Sequence, residues 1–185
     1  MTNLTKKTNK GKLDITKLEV EILQKSILNW ITEDNLFLKS IKTDKDAFRY
    51  LIKFANINLE VFSPLNTDKL LIVAPIQIHP VHMQRLEQLN LDERFKFLTE
   101  IRLFFFDNLH DFKMVPRDPQ NLNEHLFTSI VISEFLLGEN LSRQEFLYRC
   151  RKVAFAAHGF IQRMYLKFGL VEEGTPVSTQ RNIYT

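Results

Sequence analysis

Apolar residues follow two periods along this chain. Over residues 70–78 the run Leu-Leu-Ile-Val-Ala-Pro-Ile-Gln-Ile is apolar on both alternating faces until Gln77, which predicts a strand covered on both sides and central in its sheet. Beyond a corner at Pro80, Asn90 stands three residues before Glu93 with Asp92 between them, the mark of a helix start. From Leu91 onward Phe95, Leu98, Ile101, Phe105 and Leu109 recur at helical spacing, while Phe97, Leu103 and Phe104 fall beside or away from that stripe. The apolar arc is wider than a surface helix needs, so a second cover is required, from another helix of the chain or from a partner.

The rest of the pattern frames this segment. Thr16 and Glu19 form a capping box, flanked by Ile15 and Val20, for a helix reaching about Thr32 with Val20, Leu23, Ile27, Trp30 and Ile31 on one stripe. After Glu33-Asp34-Asn35 the period drops to two. Residues 36–42, 48–55 and 59–62 read as strands separated by turns at 56–58 and 64–68, an antiparallel meander. A short strand over 112–115, a loop with Pro116 and Pro119, and a long strand over 124–137 follow. Leu141, Ser142, Glu145 and Phe146 supply a staple and a capping box for the last helix. It carries Phe146, Cys150, Val153, Ala157, Ile161, Met164 and Phe168 on one face and ends at Gly169, at roughly 40 Å for about 28 residues.

Composition narrows the class. At 185 residues and 44% hydrophobic content, the chain suffices for one well-cored domain over residues 15–170, with a disordered basic arm over 1–14 and a flexible tail over 171–185. Cys150, the single cysteine, precludes an intramolecular disulfide and fits a reducing compartment. No run approaches a membrane span, and Lys6, Lys7, Lys10 and Lys12 precede no apolar segment, so a secretory signal is not expected and the location is read as cytoplasmic. The net charge of +3 conceals polarity: the arm and the last helix are basic, the middle acidic.

Candidate chemistry is sparse. His79 and His82 are the only histidine pair at close spacing, but Pro80 between them predicts a corner that need not bring them together, and ordinary surface histidines are the default. The neighbours His110-Asp111 and Glu124-His125 point to opposite faces if in strands. Cys150 lies on the apolar stripe, as a buried, inert thiol would. Ser129 and Ser133 sit in no elbow motif, and glycines at 11, 138, 159, 169 and 174 form no phosphate loop. The basic patch Arg143, Arg151, Lys152, Arg163 and Lys167 offers a phosphate-binding face or a solvated one, with Tyr148 and Tyr165 as candidate exposed aromatics.

The succession of helix, meander, helix, two strands and long helix resembles the type III secretion chaperone-like (YbjN-like) fold, and within it an archaeal family of unknown function. The segments that carry the likeness are Ile-Gln-Ile-His-Pro-Val-His-Met at 76–83, Leu-Asp-Glu-Arg-Phe at 91–95 and Phe-Leu-Leu-Gly-Glu-Asn-Leu-Ser-Arg-Gln-Glu-Phe at 135–146. The resemblance implies a homodimeric, non-enzymatic binder of protein segments.

Together these readings give an α+β domain: a curved, mostly antiparallel sheet with an N-terminal helix, a Phe-rich middle helix and a long C-terminal helix. The expected function is chaperone-like or adaptor binding of a protein partner as a homodimer, through Phe97, Leu103 and Phe104 or an exposed sheet edge, without a cofactor. A nucleic-acid-associated factor using the basic arm and basic helix is one alternative. A metal-dependent hydrolase using His79 and His82 is another.

Overall fold

The computed structural model describes residues 8–65, 67–121 and 125–171. Its elements run α1 (Thr8–Glu33), β1 (Phe37–Ser40), β2 (Asp46–Phe54), β3 (Ile57–Pro64), β4 (Lys69–Gln77), α2 (Pro80–Gln88), α3 (Leu91–Asp107), β5 (Asp111–Pro116), β6 (Phe127–Leu137) and α4 (Arg143–Phe168). The strands follow the order β1-β2-β3-β4-β6-β5. Beside the antiparallel β1–β4 meander, backbone bonds from Gly138 to Asp68 and from Ile78 to Thr128 show β6 running antiparallel to β4. This is the expected α+β architecture, in the order the family resemblance implied.

The β2–β3 hairpin turns on Ala55 and Asn56, both at positive φ (46° and 65°), with Phe54 opposite Ile57. Two central residues in that region make the primed turn whose twist matches antiparallel strands. Asn56 and Asn58 mark a turn at 56–58 in the sequence, whereas the turn includes Ala55, a residue type that rarely adopts positive φ. β3 consequently begins at Ile57, ahead of the anticipated 59.

Two compact units make up the chain, each from discontinuous segments: Met1–Ala74 with Ser133–Phe155, and Pro75–Ile132 with Ala156–Thr185. In the first, β2 and β3 alternate in burial, so one face of each strand is sealed. Phe48, Tyr50, Ile52, Leu59, Val61, Leu70 and Ile72 form that face and are buried with Leu23, Ile27 and Ile31 of α1. Gln24 on α1 donates to the Tyr50 hydroxyl at 3.2 Å, and the Trp30 ring lies 5.9 Å from that of Phe146 on α4. The second unit centres on Phe105, stacked on Phe112 at 4.6 Å and 6.4 Å from Phe160, which lies the same distance from Phe127.

Three features differ from expectation, and some expected segments cannot be compared. α1 starts at Thr8, so Thr16 and Glu19 lie inside it; once nucleated, a helix extends at little cost per residue. Residues 1–7 of the proposed arm, Glu124, and 172–185 of the proposed tail lie outside the described residues. The corner at Pro80 opens a helix, because proline is favoured at the first helical position and His79 Nδ1 accepts the Val81 N–H at 3.2 Å. β4 is interior to the strand order, but on its second face only Val73 is buried, while Lys69, Pro75 and Gln77 are exposed. There Leu71 pairs across the ladder with Phe62, itself covered by the Arg49 guanidinium at 4.1 Å, so cross-strand neighbours give the partial shelter attributed to a second layer.

Gly138 closes β6 where its N–H donates to the Asp68 carbonyl at 2.6 Å. A β-carbon there would lie 2.8 Å from Leu23 Cδ2 and 3.0 Å from that carbonyl oxygen. Gly138→Val is expected to lower stability by about 1–3 kcal/mol in urea denaturation, the usual cost of overpacking.

Candidate partner-binding site

α3 begins as its sequence announces. The Asn90 side chain accepts the Glu93 N–H at 2.9 Å, and the Glu93 carboxylate accepts the Asn90 N–H at 3.2 Å, closing the capping box. The buried face carries Phe97, Leu98, Ile101 and Phe105. Phe97, assigned to partner binding, is therefore a correction: it is 2% exposed, with its ring edge-on to Phe168 at 5.1 Å. The last turn of α4 supplies the cover that sequence alone left open. Phe104 is half-buried with the Arg163 guanidinium over its ring at 3.6 Å; a β-carbon on Gly159 would lie 2.5 Å from that ring, so glycine permits the approach. Of the three, Leu103 alone faces solvent, at 54%.

The open face holds residues the stripe assignment misplaced. Leu91, Phe95 and Phe106 are all exposed and, with Thr99 and Arg102, recur at positions that align on one side of a helix. Phe106, 63% exposed, meets Phe112 of β5 edge-on at 5.7 Å, and Phe95 lies 5.5 Å from the His125 ring. Leu109 follows at positive φ (52°) where the chain leaves the helix, and it too is exposed. Phe95 and Leu109 had been grouped with the buried Leu98, Ile101 and Phe105; a spacing of three or four places neighbours within one wide arc but does not say which edge of the arc is wet. β5, next in the chain, is terminal in the strand order, and among the described residues one of its backbone edges has no strand partner.

The basic patch divides. Arg143 pairs with Glu33 at 2.8 Å and Asp34 at 2.7 Å, and the hydrogen bond to Asp34 raises its guanidinium above the ordinary arginine value. Glu134 is buried on β6, where Lys152 meets it at 2.5 Å and Arg149 at 3.1 Å; Arg149 also reaches Glu145 at 2.6 Å. Arg163 covers Phe104 and donates to the Gly159 carbonyl at 3.1 Å. Arg151 and Lys167 are exposed. Acids from other segments of its own unit thus answer much of what the sequence presents as a free cationic face. Tyr148 and Tyr165 are exposed, as anticipated, and so is Phe155.

His79 and His82 sit on one short helix with ring centres 6.2 Å apart, each already occupied. His79 caps α2. His82 is buried, which departs from the surface histidine expected, and its Nε2 donates to the Gly169 carbonyl at 2.9 Å, since a carbonyl can only accept. Arg85, a turn further along α2, donates to the carbonyl of Phe168. Gly169 itself adopts φ +79°, the left-handed end expected of it. Among the described residues no three or more of His, Cys, Asp and Glu gather to hold a metal ion, and no helix is long and apolar enough to cross a membrane. Burial pushes the Cys150 thiol far up, as its place on the apolar stripe implied. Ser129 is buried too.

The fold and these sites define an α+β protein in which Arg143, Arg149, Lys152 and His82 are held by the protein itself, with an apolar helix face left open. The chain belongs to the family described as an uncharacterized conserved protein (DUF2299), which it matches over residues 23–164, a span containing all three segments that carry the resemblance. Among solved structures, an uncharacterized protein from Methanothermobacter thermautotrophicus aligns at 17% identity and a TM-score of 0.73, covering 80% of this chain and 99% of that one, and so shares the fold. YbjN from E. coli aligns at 9% identity and a TM-score of 0.46, covering 78% of this chain and 92% of that one. A search of curated proteins returned no match.

Two contrasts check the placement. Phe97→Asp is expected to abolish cooperative unfolding, because it buries a carboxylate against Phe168, whereas Leu103→Asp should shift stability by no more than about 0.5 kcal/mol in the same denaturation series. Cys150 should resist a thiol-specific chromogenic disulfide in the native protein and react at once in denaturant.

Proposed function

We propose that this protein is a non-enzymatic, cytoplasmic protein-binding module that assembles as a homodimer through the outer row of α3 and the free edge of β5. The observation that carries the reading is the exposed apolar row Leu91, Phe95 and Phe106, with Leu103 beside it, next to the strand that ends the sheet order among the described residues. Large apolar side chains on an open helix face mark contact surfaces in soluble proteins, and each square ångström withdrawn from water contributes about 25 cal/mol.

A second copy suits this edge for a geometric reason. Two identical strands that pair antiparallel are related by a two-fold axis, which makes the contact self-complementary. Asp111 and Lys113 lie on the exposed face of β5, two residues apart. A two-fold centred on Phe112 sets each Asp111 opposite the Lys113 of the other copy, where opposite charges attract across the ladder. Phe106, in contact with Phe112, then contributes apolar area at the centre of the interface. In this reading no catalytic step is involved: affinity comes from burial, and the charges set register.

Sedimentation velocity across a concentration series tests it. The wild type should run as a dimer at micromolar concentration, and Phe106→Glu should weaken association by about 50-fold or more, a loss of at least 2 kcal/mol. Phe37→Glu on β1, at the opposite end of the strand order, should leave the mass unchanged. Asp111→Lys should weaken the dimer, and adding Lys113→Asp to that chain should restore it. A wild type that stays monomeric at millimolar concentration sinks the proposal, as does an Asp111→Lys loss that the double exchange fails to repair.

A further inference from the structure

A different surface, wholly within the first unit, carries a second and independent inference. A groove of about 430 Å³ lies along α1 beside the residue preceding β4 and the connection from β6 to α4. Ile22, Leu23, Trp30 and Leu141 supply its apolar lining. Leu23 is buried, Trp30 is half-exposed, and Ile22 is 57% exposed at the open side. Glu19, Asp68 and Glu139 add three carboxylates, all on exposed residues, and among the described residues no lysine, arginine or histidine lines the space.

Several acids of this unit are paired, and among the described residues those at the groove are not. Glu33, Asp34, Glu134 and Glu145 are each met by Arg143, Arg149 or Lys152. Among the described residues Glu19, Asp68 and Glu139 have no ion-pair partner. The wall between them is held by backbone: the Gly138 N–H bonded to the Asp68 carbonyl, and the close approach of Gly138 to Leu23. The concavity is therefore built into the fold and does not depend on where the acidic side chains point. An apolar lining with unanswered negative charge in a recess concentrates field on whatever enters.

We infer that this groove docks a short segment of a partner protein in which lysine or arginine alternates with aliphatic residues. The aliphatic side chains would cover Ile22, Leu23 and Leu141, the cations would meet Glu19, Asp68 and Glu139, and one cation would lie against the Trp30 face. The volume is within the usual range for ligand pockets, enough for a few side chains and too little for a folded domain.

Trp30 is the only tryptophan in the chain, so its emission reports on the groove directly. The probe is an acetylated, amidated nonapeptide of alternating leucine and lysine, compared with its leucine–glutamate counterpart. Saturable change in Trp30 emission is expected with the lysine peptide only, weakening by about tenfold from 50 to 500 mM salt. The double variant Asp68→Asn, Glu139→Lys should cut affinity by about tenfold or more while leaving the urea midpoint in place. Phe106→Glu should bind the peptide as the wild type does, so failure of dimerisation and failure of this site are told apart. Equal response to both peptides, no response to either, or unaltered binding by the double variant overturns the inference. Tighter binding of a peptide spanning residues 1–13 of this chain than of the lysine peptide also overturns it, because the occupant is then a second copy.

Discussion

A carboxylate buried on one strand sets the rotational phase of the last helix. Glu134 points into the interior from β6 and is met by Arg149 and Lys152, three residues apart and hence on the same side of α4. Glu134 is buried while both cations stay partly open to water, so the carboxylate depends on them for its charge partners. With those cations directed at the strand, Phe146, Cys150 and Val153 must lie in the core. Tyr148, Arg151 and Phe155 must lie outside. The close packing of those residues and the two ion pairs agree on one phase. The aromatic–cationic face of α4 is therefore as much a result of the Glu134 contact as of its own sequence.

What could be read from the sequence was what rests on local chemistry. The Asn90–Glu93 box, the Ser142 cap, whose hydroxyl accepts the Glu145 N–H at 3.1 Å, and Gly169 at positive φ each depend on residues within one helical turn, and each was found where expected. What depends on distant partners was harder to see. Phe97 and Leu103 are both apolar and both off the main stripe, but one meets Phe168 and the other meets water. Nothing within a turn of either distinguishes them.

The same limit accounts for the basic block and the histidines. Arg143 and its acids Glu33 and Asp34 are separated by more than a hundred residues, so a composition profile shows a surplus of charge where the fold has a pair. His82 reads as a surface residue in the sequence because its carbonyl partner also comes from far along the chain. α2 was missed for a different reason: a histidine cap is an uncommon signal, and proline after it suggests a break unless its place at the first helical position is recognised. The exposed row on α3 was within reach, since Phe95 and Phe106 already sit at helical spacing; what was missing was which edge of the arc faces out.

The contacts of His82 and Arg85 with the backbone of Gly169 and Phe168 bear on synthesis at the ribosome. These bonds join positions 87 and 83 apart in the sequence. A nascent chain that has emerged only through β5 therefore holds two donors still without their acceptors, and the second unit acquires these ties only once α4 has followed it out of the exit tunnel. Such separation in sequence slows the search for native pairings. A transcript truncated before codon 168 would yield a product lacking that clasp.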